Sequence, residues 1–433
     1  MARLNSHQAS RLHLSRGAPV AALDIGSSKV ACFIGRLASD EPGASTPSIR
    51  VDGIGLQMCQ GLRSGTVVDV PAAAAAIRAA VEAAERMAET TIDDAFVNVS
   101  CGGMRSHSVS VEVSVAGHDI TDYDLARVLR AAQDAAEPDE REIIHSIPTG
   151  YSIDGQAGVR DPRGMFGDRL GVSLHIVTAQ PGPLRNLISA VHQARLGVSG
   201  LVASAYASGL GVLSEDEMDL GATLIDLGAG TTTIAVFYEG SLLFTDMVPL
   251  GGGHVTSDLA YGLQTSLATA EKIKARYASA VPGVDDFRRV IDYPAIGEDQ
   301  DGATNQVAAS MLPGFVGPRV EEIFELVQKR LKAAGLNRLA GRTLVLTGGA
   351  SQLQGIAQMA ERILDKKVRL AQGPARFVGL ADVTNGPAYA TTSGLLAYAL
   401  RGPLEAVERE MVAESAPSAS AMGRLGRWLR QAF

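Results

Sequence analysis

Two short segments, far apart in the chain, repeat the same order of residue types. Asp24 is followed by Gly26, Ser27, Ser28 and Lys29, and Asp226 is followed by Gly228, Ala229, Gly230 and Thr231. Each segment joins two apolar runs, which predicts a hairpin with a tight turn. Backbone N–H groups in such a turn can bind phosphate oxygens, and the carboxylate beside it can hold hydrated Mg²⁺. Two such turns facing each other could bind a triphosphate from both sides.

A third glycine segment comes late in the chain. Gly348 and Gly349 follow an apolar run and precede a helix-like stretch at 353–364. Glycines at a strand-to-helix junction let a base or a ribose lie against the backbone. The chain has no G-x-x-x-x-G-K-[ST] phosphate loop, and the second turn lacks the third glycine and the crossover helix of a dinucleotide-binding fingerprint.

The order of these three segments resembles the actin/Hsp70/hexokinase ATPase superfamily and, more narrowly, the FtsA family of actin-like bacterial cell-division proteins. The narrower resemblance rests on stretches at 145–148, 151–154, 213–217, 253–260 and 428–433. It covers residues 18–433. It implies an α/β, actin-like two-lobed ATPase fold with ribonuclease H-like duplicated halves, an inserted small α+β subdomain and a C-terminal amphipathic helix.

This resemblance and the changes in composition along the chain predict its organisation. We expect a disordered N-terminal arm at 1–17, lobe 1 at 18–96 and 180–208, an inserted subdomain at 97–179, lobe 2 with the adenosine loop and a partner-binding subdomain at 209–400, a flexible linker at 401–421 and an amphipathic helix at 422–433. The linker is rich in Ser, Pro and Glu, a composition typical of flexible segments.

The last twelve residues predict an amphipathic helix when they are placed at about 100° per residue. Its apolar face carries Met422, Leu425, Trp428, Leu429 and Phe433, and its polar face carries Arg424, Arg427 and Arg430. A terminal helix docked on the protein body would show the same pattern. The only Trp of the chain, three Arg and the absence of acidic residues favour a helix that lies in the interface of an anionic membrane.

The resemblance implies a role for each candidate site residue, with ATP and Mg²⁺ as cofactors. Asp24 would hold Mg²⁺ through water, and Asp226 would face the metal and the attacking water. The phosphates would be contacted by Gly26, Ser27, Ser28, Lys29, Gly228, Ala229, Gly230 and Thr231. Gly252 and Gly253 would form the connector into the upper lobe. Glu271 and Lys274 would reach the ribose and adenine, and Gly348 and Gly349 would contact the adenosine. From the residues alone, Lys29 could be a surface lysine, and Glu271 and Lys274 a solvated i,i+3 ion pair.

Many relatives carry a third glycine and a later Asp in the second turn, where this chain has Ala229 and Thr233. Because the chain lacks that acid near the metal, we expect ATP to act mainly as a structural ligand that favours polymerisation, with slow hydrolysis at most.

The resemblance also implies partners and a location. The protein would polymerise at the division site on the inner face of the cytoplasmic membrane, bound to anionic lipid. It would tether filaments of the tubulin-like protein FtsZ, and later division proteins would bind the inserted subdomain. The C-terminal peptide of FtsZ would dock on lobe 2, with Arg319 and Glu322 as candidate contacts at a helix predicted to begin near residue 318. A solvated helix face is the alternative for these two residues.

Composition excludes other classes of protein. The net charge of the 433 residues is −8, which argues against a general nucleic-acid binder. Three widely separated cysteines predict neither a disulfide framework nor a zinc site. We expect no transmembrane helix, because no apolar run reaches about 18 residues, and no signal peptide at the N-terminus.

Two other functions fit the same fold. A small-molecule kinase of the superfamily would need a catalytic Asp beside an acceptor pocket and would have no use for the tail. A pilus-assembly scaffold related to the FtsA family would bind a peptide of a membrane protein and would usually lack the amphipathic tail. An Hsp70 chaperone is disfavoured, because no substrate-binding domain follows the ATPase core.

Overall fold

The structure is a computed structural model that describes residues 17–38, 48–136, 140–283, 288–296, 304–336, 341, 343–372, 377–380 and 386–401. Its strands are β1 Val20–Ile25, β2 Lys29–Leu37, β3 Ile49–Met58, β4 Leu62–Arg63, β5 Thr66–Val67, β6 Asp94–Val99, β7 Arg105–Asp119, β8 Glu142–Ile153, β9 Gln156–Val159, β10 Phe166–Ala179, β11 Gly197–Ala203, β12 Ala222–Leu227, β13 Thr232–Tyr238, β14 Ser241–Val248, β15 Val290–Pro294, β16 Thr304–Ala308, β17 Thr343–Thr347, β18 Lys367–Leu370 and β19 Phe377–Gly379.

The α-helices are α1 Val70–Ala88, α2 Asp122–Ala135, α3 Pro181–Gln193, α4 Ser204–Val212, α5 Glu215–Leu220, α6 Gly252–Leu263, α7 Leu267–Tyr277, α8 Leu312–Ala333, α9 Ile356–Leu364 and α10 Ala390–Arg401. Short 3₁₀ turns lie at Ala309–Met311, Gly349–Gln352 and Pro387–Tyr389. None of the described helices is both long and apolar enough to cross a membrane.

Lobe 1 is built on a six-stranded sheet in the order β11-β6-β1-β2-β3-β19. Strand β1 pairs antiparallel with β2 and parallel with β6. Both faces of this sheet are covered, because one buried cluster joins it to α1 and α3 and another joins it to α10. Burial on both faces explains why β1 and β2 are continuous apolar runs rather than alternating ones.

Lobe 2 repeats this arrangement in a five-stranded sheet with the order β14-β13-β12-β17-β18. Strand β12 pairs antiparallel with β13 and parallel with β17, so each lobe has a central hairpin with a parallel strand on its other side. Helices α6 to α9 share a buried cluster with this sheet. Both hairpins that carry the predicted turns therefore lie in the middle of a sheet.

Between β6 and α3 the chain forms a four-stranded sheet in the order β7-β10-β8-β9, which with α2 we call the inserted subdomain. One face of the sheet packs on α2 through residues that include Leu125, Leu129, Val172 and Leu174. The valines at alternate positions of β7 are half-buried or buried while their neighbours are exposed, as the period-two pattern predicts.

The C-terminal part of the described chain returns to lobe 1, which differs from the predicted lobe 2 boundaries of 209–400. Strand β19 pairs with β3, and α10 places Leu395, Leu396 and Tyr398 in a cluster with Phe33 of lobe 1. A boundary taken from linear sequence does not capture this crossing, because the pairing is made between residues more than 300 positions apart.

Two helices, α6 and α7, follow the second turn. They are separate because Gln264 adopts a left-handed conformation with φ of 49° and Ser266 caps α7 by accepting from the Thr269 N–H. The helix predicted to begin near 318 begins at Leu312 and continues through Pro318. Buried residues lie on both sides of that proline, so packing outweighs its missing hydrogen bond.

The hairpin of β15 and β16 precedes the start of α8. The helix predicted at 353–364 begins at Ile356, after a 3₁₀ turn and a left-handed Gly355 with φ of 77°. Boundaries of this kind depend on backbone conformations that single residues permit but do not require.

Candidate functional site

The two predicted turns have the same backbone geometry. The Gly26 N–H donates a hydrogen bond to the Lys29 carbonyl oxygen at 3.0 Å, and the Gly228 N–H donates one to the Thr231 carbonyl oxygen at 2.9 Å. A Cβ atom at Gly228 would lie 2.9 Å from that oxygen, closer than real Cβ atoms come. The second turn therefore needs glycine at its first position.

The turns also face each other directly. A Cβ atom at Gly230 of the second turn would lie 2.3 Å from the Ser27 Oγ of the first turn. The same Oγ accepts a hydrogen bond from the Gly65 N–H at 3.0 Å. The N–H groups of Gly252 and Gly253 donate to the carbonyl oxygens of the second turn, which fixes the start of α6 against it.

The predicted nucleotide residues line one cavity of about 980 Å³ between the lobes. They are Asp24, Gly26, Ser27, Ser28, Lys29, Asp226, Gly228, Ala229, Gly230, Thr231, Gly252, Gly253, Glu271, Lys274, Gly348 and Gly349. A volume of this size is at the upper end of small-molecule sites, which occupy about 300–1,000 Å³. The fold thus brings together segments that are more than 300 residues apart.

Two carboxylates line the cavity, of which Asp226 is buried and Asp24 is half-buried. Asp226 accepts hydrogen bonds from the Ser208 Oγ at 2.6 Å and the Thr391 Oγ1 at 3.0 Å, while burial raises its pKa. Burial also raises the pKa of Asp24 to about 7, although the charge of Lys29 opposes the shift. The charge of Asp226 raises the pKa of Asp24 further. An opposing cation would favour the ionised form of both groups.

Lys29 is only partly exposed and faces the protein. Its Nζ donates a hydrogen bond to the Ala388 carbonyl oxygen at 2.9 Å and lies 3.9 Å from the centre of the Tyr389 ring. Burial lowers the pKa of Lys29, and the charges of Asp24 and Asp226 oppose this shift. The surface-lysine alternative therefore does not describe this side chain.

Glu271 and Lys274 form the expected ion pair, with 2.7 Å between Lys274 Nζ and Glu271 Oε2. The lysine also donates to the Gly252 carbonyl oxygen at 3.0 Å and to the Thr256 hydroxyl at 2.8 Å. Only 14% of the Lys274 side chain is exposed. Lys274 therefore connects α7 to the start of α6 at the cavity wall, whereas the Glu271 side chain is 55% exposed.

Gly348 occupies a position that no other residue fits. Its φ is 84°, and a Cβ atom there would lie 2.3 Å from the Asp226 Oδ1. Its N–H donates to the Pro387 carbonyl oxygen at 2.9 Å. The neighbouring Gly349 has open space where its Cβ would be. A side chain would therefore fit at position 349 but not at position 348.

The sequence analysis missed several polar residues around the carboxylates. Asn98 Oδ1 accepts from the Ile25 N–H at 2.7 Å, and its Nδ2 donates to the Ser204 Oγ at 3.1 Å. Ser208 and Thr391 hold Asp226 as described above. Asn98 could have been predicted, because an amide side chain inside the apolar strand β6 is unusual. Ser208 and Thr391 could not, because hydroxyl side chains in helices have many ordinary roles.

Arg319 and Glu322 lie on α8 and do not line the cavity. The Arg319 guanidinium bonds both carboxylate oxygens of Asp258 on α6, at 2.7 and 3.1 Å, and also pairs with Glu322. Arg319 is therefore committed to a contact between two helices. The proposed membrane residues Met422, Arg424, Leu425, Arg427, Trp428, Leu429, Arg430 and Phe433 lie outside the described residues.

We predict that Asp24 makes the stability of the ligand-free protein depend on pH. Its pKa is about 7 in the folded protein against an ordinary value of 3.8, so between these values the folded state binds more protons than the unfolded state. Stability should therefore fall as the pH rises through this window and level off above it. Asp24→Asn removes the titrating carboxyl group. Thermal unfolding from pH 4.5 to 8 should therefore show the Tm of the wild type falling relative to the Tm of this variant as the pH rises. A constant difference in Tm would contradict the prediction.

The family model described as cell division protein FtsA matches residues 223–394, and the model of the SHS2 domain inserted in FtsA matches residues 102–178. The cell division protein FtsA of Agrobacterium fabrum is 41% identical over 437 residues, which cover 100% of this chain and 97% of that protein.

Solved structures show the same fold at low sequence identity. The PilM–PilN type IV pilus biogenesis complex aligns with a TM-score of 0.59 and 17% identity, covering 88% of this chain and 99% of that chain. MreB5 of Spiroplasma citri bound to ADP aligns with a TM-score of 0.51 and 14% identity, covering 93% and 100%. These likenesses confirm the predicted actin-like fold, and the family match does not favour the kinase or the pilus scaffold. The chain belongs to the FtsA family of bacterial cell-division proteins.

Proposed function

We propose that the cavity binds ATP with Mg²⁺ and that the nucleotide holds the two lobes in the closed arrangement. The observation that carries this proposal is the pair of equivalent turns, one from each lobe, that meet at Ser27 and Gly230 and line one cavity. Backbone N–H groups of both turns can bind phosphate oxygens. The MreB5 structure with ADP supports a nucleotide as the occupant.

The two carboxylates fit a magnesium ion that is held mainly by the nucleotide. Mg²⁺ usually binds one or two carboxylates together with phosphates and several waters. Among the described residues no group of three His, Cys, Asp or Glu side chains could form a metal site, which agrees with such partial coordination. Asp24 would hold the ion through water, and Asp226 would face it while Ser208 and Thr391 fix its orientation. The bound ion would neutralise phosphate charge.

ATP is proposed to act mainly as a structural ligand with slow hydrolysis. Thr233, which stands where many relatives carry an Asp, lines the cavity and is buried, so it supplies no carboxylate. The Asp226 carboxylate is already engaged by two hydroxyls. These contacts leave the site better equipped to bind a nucleotide than to activate water.

We further propose that the protein polymerises on the inner face of the cytoplasmic membrane and tethers FtsZ filaments to it. The apolar and basic faces of 422–433 support a reversible interfacial anchor. A single short helix binds weakly, so many copies on a polymer would bind together by avidity. The inserted subdomain, which matches the SHS2 model, is the proposed contact for later division proteins.

The FtsZ peptide is proposed to dock beside α8. Arg319 is 27% exposed and Glu322 is 48% exposed, so both can meet a partner. Because Arg319 also holds Asp258, its role in recognition would combine with a role in fixing α6 against α8. Glu322 is the more accessible of the two candidates.

The proposed function is tested with the full-length protein and vesicles containing anionic lipid. We expect sedimentation with the vesicles in the presence of ATP and Mg²⁺, less sedimentation without nucleotide, and recruitment of FtsZ only when this protein is present. Electron microscopy of the same samples should show polymers on the vesicle surface. FtsZ sedimenting equally well without this protein would contradict the tethering role.

A further inference from the structure

The inserted subdomain contacts both lobes, although its chain enters and leaves through lobe 1. Its strand β7 and the lobe 2 strand β14 are edge strands of their sheets, and they meet at Ser106 and Thr245. The Ser106 hydroxyl accepts a hydrogen bond from the Thr245 N–H and donates one to the Thr245 carbonyl oxygen, both at 2.9 Å. One side chain thus satisfies two backbone groups of an edge strand, which otherwise stay unpaired.

Charged side chains surround this contact. Asp246, the next residue of β14, is 15% exposed and lies 3.7 Å from the Arg330 Nε of α8. The charge of Arg105, beside Ser106 on β7, also acts on Asp246. Basic groups from the inserted subdomain and from lobe 2 therefore face one nearly buried carboxylate.

Apolar side chains of the inserted subdomain and of lobe 2 also share a buried cluster. Ile147 and Val177 of the inserted subdomain belong to one buried cluster with Ala235 and Leu242 of lobe 2. A partly buried polar contact of this kind is protected from water and is therefore stronger than one on an open surface.

A separate set of contacts holds the inserted subdomain to lobe 1. His145 Nε2 on β8 accepts a hydrogen bond from the Ala203 N–H at 2.9 Å. Its ring meets Tyr206 of α4 and Tyr398 of α10 edge to face, with ring centres 5.3 and 5.9 Å apart. The subdomain is therefore fixed to lobe 1 at one place and to lobe 2 at another.

We infer that the Ser106–Thr245 pair is a latch between the inserted subdomain and lobe 2 that closes together with the nucleotide cleft. The inference rests on the proposed function for the cleft. The latch is formed in the arrangement in which Ser27 and Gly230 of the two turns touch. If lobe 2 rotates away from lobe 1, it must either break the latch or pull the subdomain from its contacts with Ala203. Nucleotide binding therefore reaches the inserted subdomain through this pair.

The test compares four forms of the full-length protein: wild type, Ser106→Ala, Ser106→Thr and Ser110→Ala. Ser106→Thr keeps a hydroxyl at the latch. Ser110 lies on the same strand and bonds Ser173 within the subdomain at 2.9 Å, so it is the matched control. Hydrogen exchange of the segment 241–248 is measured by mass spectrometry with and without ATP and Mg²⁺, and ATP affinity is measured by calorimetry.

We expect ATP to slow exchange at Thr245 in the wild type, in Ser106→Thr and in Ser110→Ala. In Ser106→Ala the exchange should be faster at all nucleotide concentrations, and ATP affinity should fall about tenfold, since two hydrogen bonds worth about two- to tenfold each are lost from the closed form.

Equal Thr245 exchange in Ser106→Ala and Ser110→Ala would overturn the latch. Unchanged ATP affinity in Ser106→Ala, with faster exchange, would overturn the coupling to the cleft. Calorimetry of the wild type separates these results from a failure of the proposed function. If the wild type binds no ATP, the nucleotide-dependent coupling is ruled out. The Thr245 exchange rates of Ser106→Ala and Ser110→Ala, compared without nucleotide, would still decide whether the latch exists.

Discussion

Trp428→Glu is expected to abolish sedimentation of the protein with anionic vesicles while ATP binding stays at the wild-type level. Trp428 is the largest side chain on the predicted apolar face of 422–433. Complete burial of a large apolar side chain is worth about 1.5–3 kcal/mol, and each Arg near anionic lipid adds about 1 kcal/mol. Ordering twelve residues costs about 1 kcal/mol or more each. The net affinity of one tail is therefore small, and a charge on its apolar face removes it.

Gln431→Glu is the matched control, because it changes the charge by the same amount on the polar face. This variant should sediment with the vesicles only slightly less than the wild type. Trp428→Leu keeps an apolar residue and should retain most of the binding. Full sedimentation of Trp428→Glu, with ATP present, would contradict the assignment of 422–433 as the membrane anchor and favour the docked-helix alternative.

Gly348→Ala is expected to destabilise the ligand-free protein and to weaken ATP binding about a hundredfold. A side chain at a left-handed φ of 84° costs about 1–3 kcal/mol. Its Cβ would also displace the Asp226 carboxylate, whose bonds to Ser208 and Thr391 are of the charge-assisted kind worth about 1.5–3 kcal/mol each. A loss of about 2.7 kcal/mol in binding corresponds to a hundredfold weaker affinity.

Gly349→Ala is the control for this glycine. No atom lies within 4 Å of a Cβ at Gly349, so this variant should keep the Tm of the ligand-free wild type. Scanning calorimetry measures the Tm of both ligand-free variants, and titration with ATP measures their affinities. If Gly348→Ala and Gly349→Ala had the same Tm, the close approach of Gly348 to Asp226 would be wrong.

The sequence predicted the parts of the site that depend on local backbone chemistry. Asp24, Asp226 and the glycines beside them could be assigned because an apolar strand that ends in Asp and Gly has few structural solutions. The order of these segments, together with the family resemblance, predicted the two-lobed fold. The repeated hairpin with a parallel strand beside it, found in both sheets, is the structural counterpart of that repeat.

Contacts between distant segments could not be predicted in the same way. Thr391 reaches Asp226 from a position 165 residues later, and Ser106 reaches Thr245 across two sheets. Hydroxyl residues are common in all element types, so nothing in their local sequence marks these partners. The predicted start of α8 was wrong because of Pro318. A proline usually marks the first turn of a helix, but α8 contains Pro318 in its interior, between buried residues on both sides.

The two facing turns are proposed to bind one nucleotide with its magnesium ion. Calorimetric titration of ATP into the full-length, folded protein, with and without Mg²⁺, tests it most directly. We predict one site per chain, with an affinity that falls when Mg²⁺ is removed. The absence of any heat of ATP binding to well-folded protein, with or without Mg²⁺, would contradict nucleotide binding by the two turns.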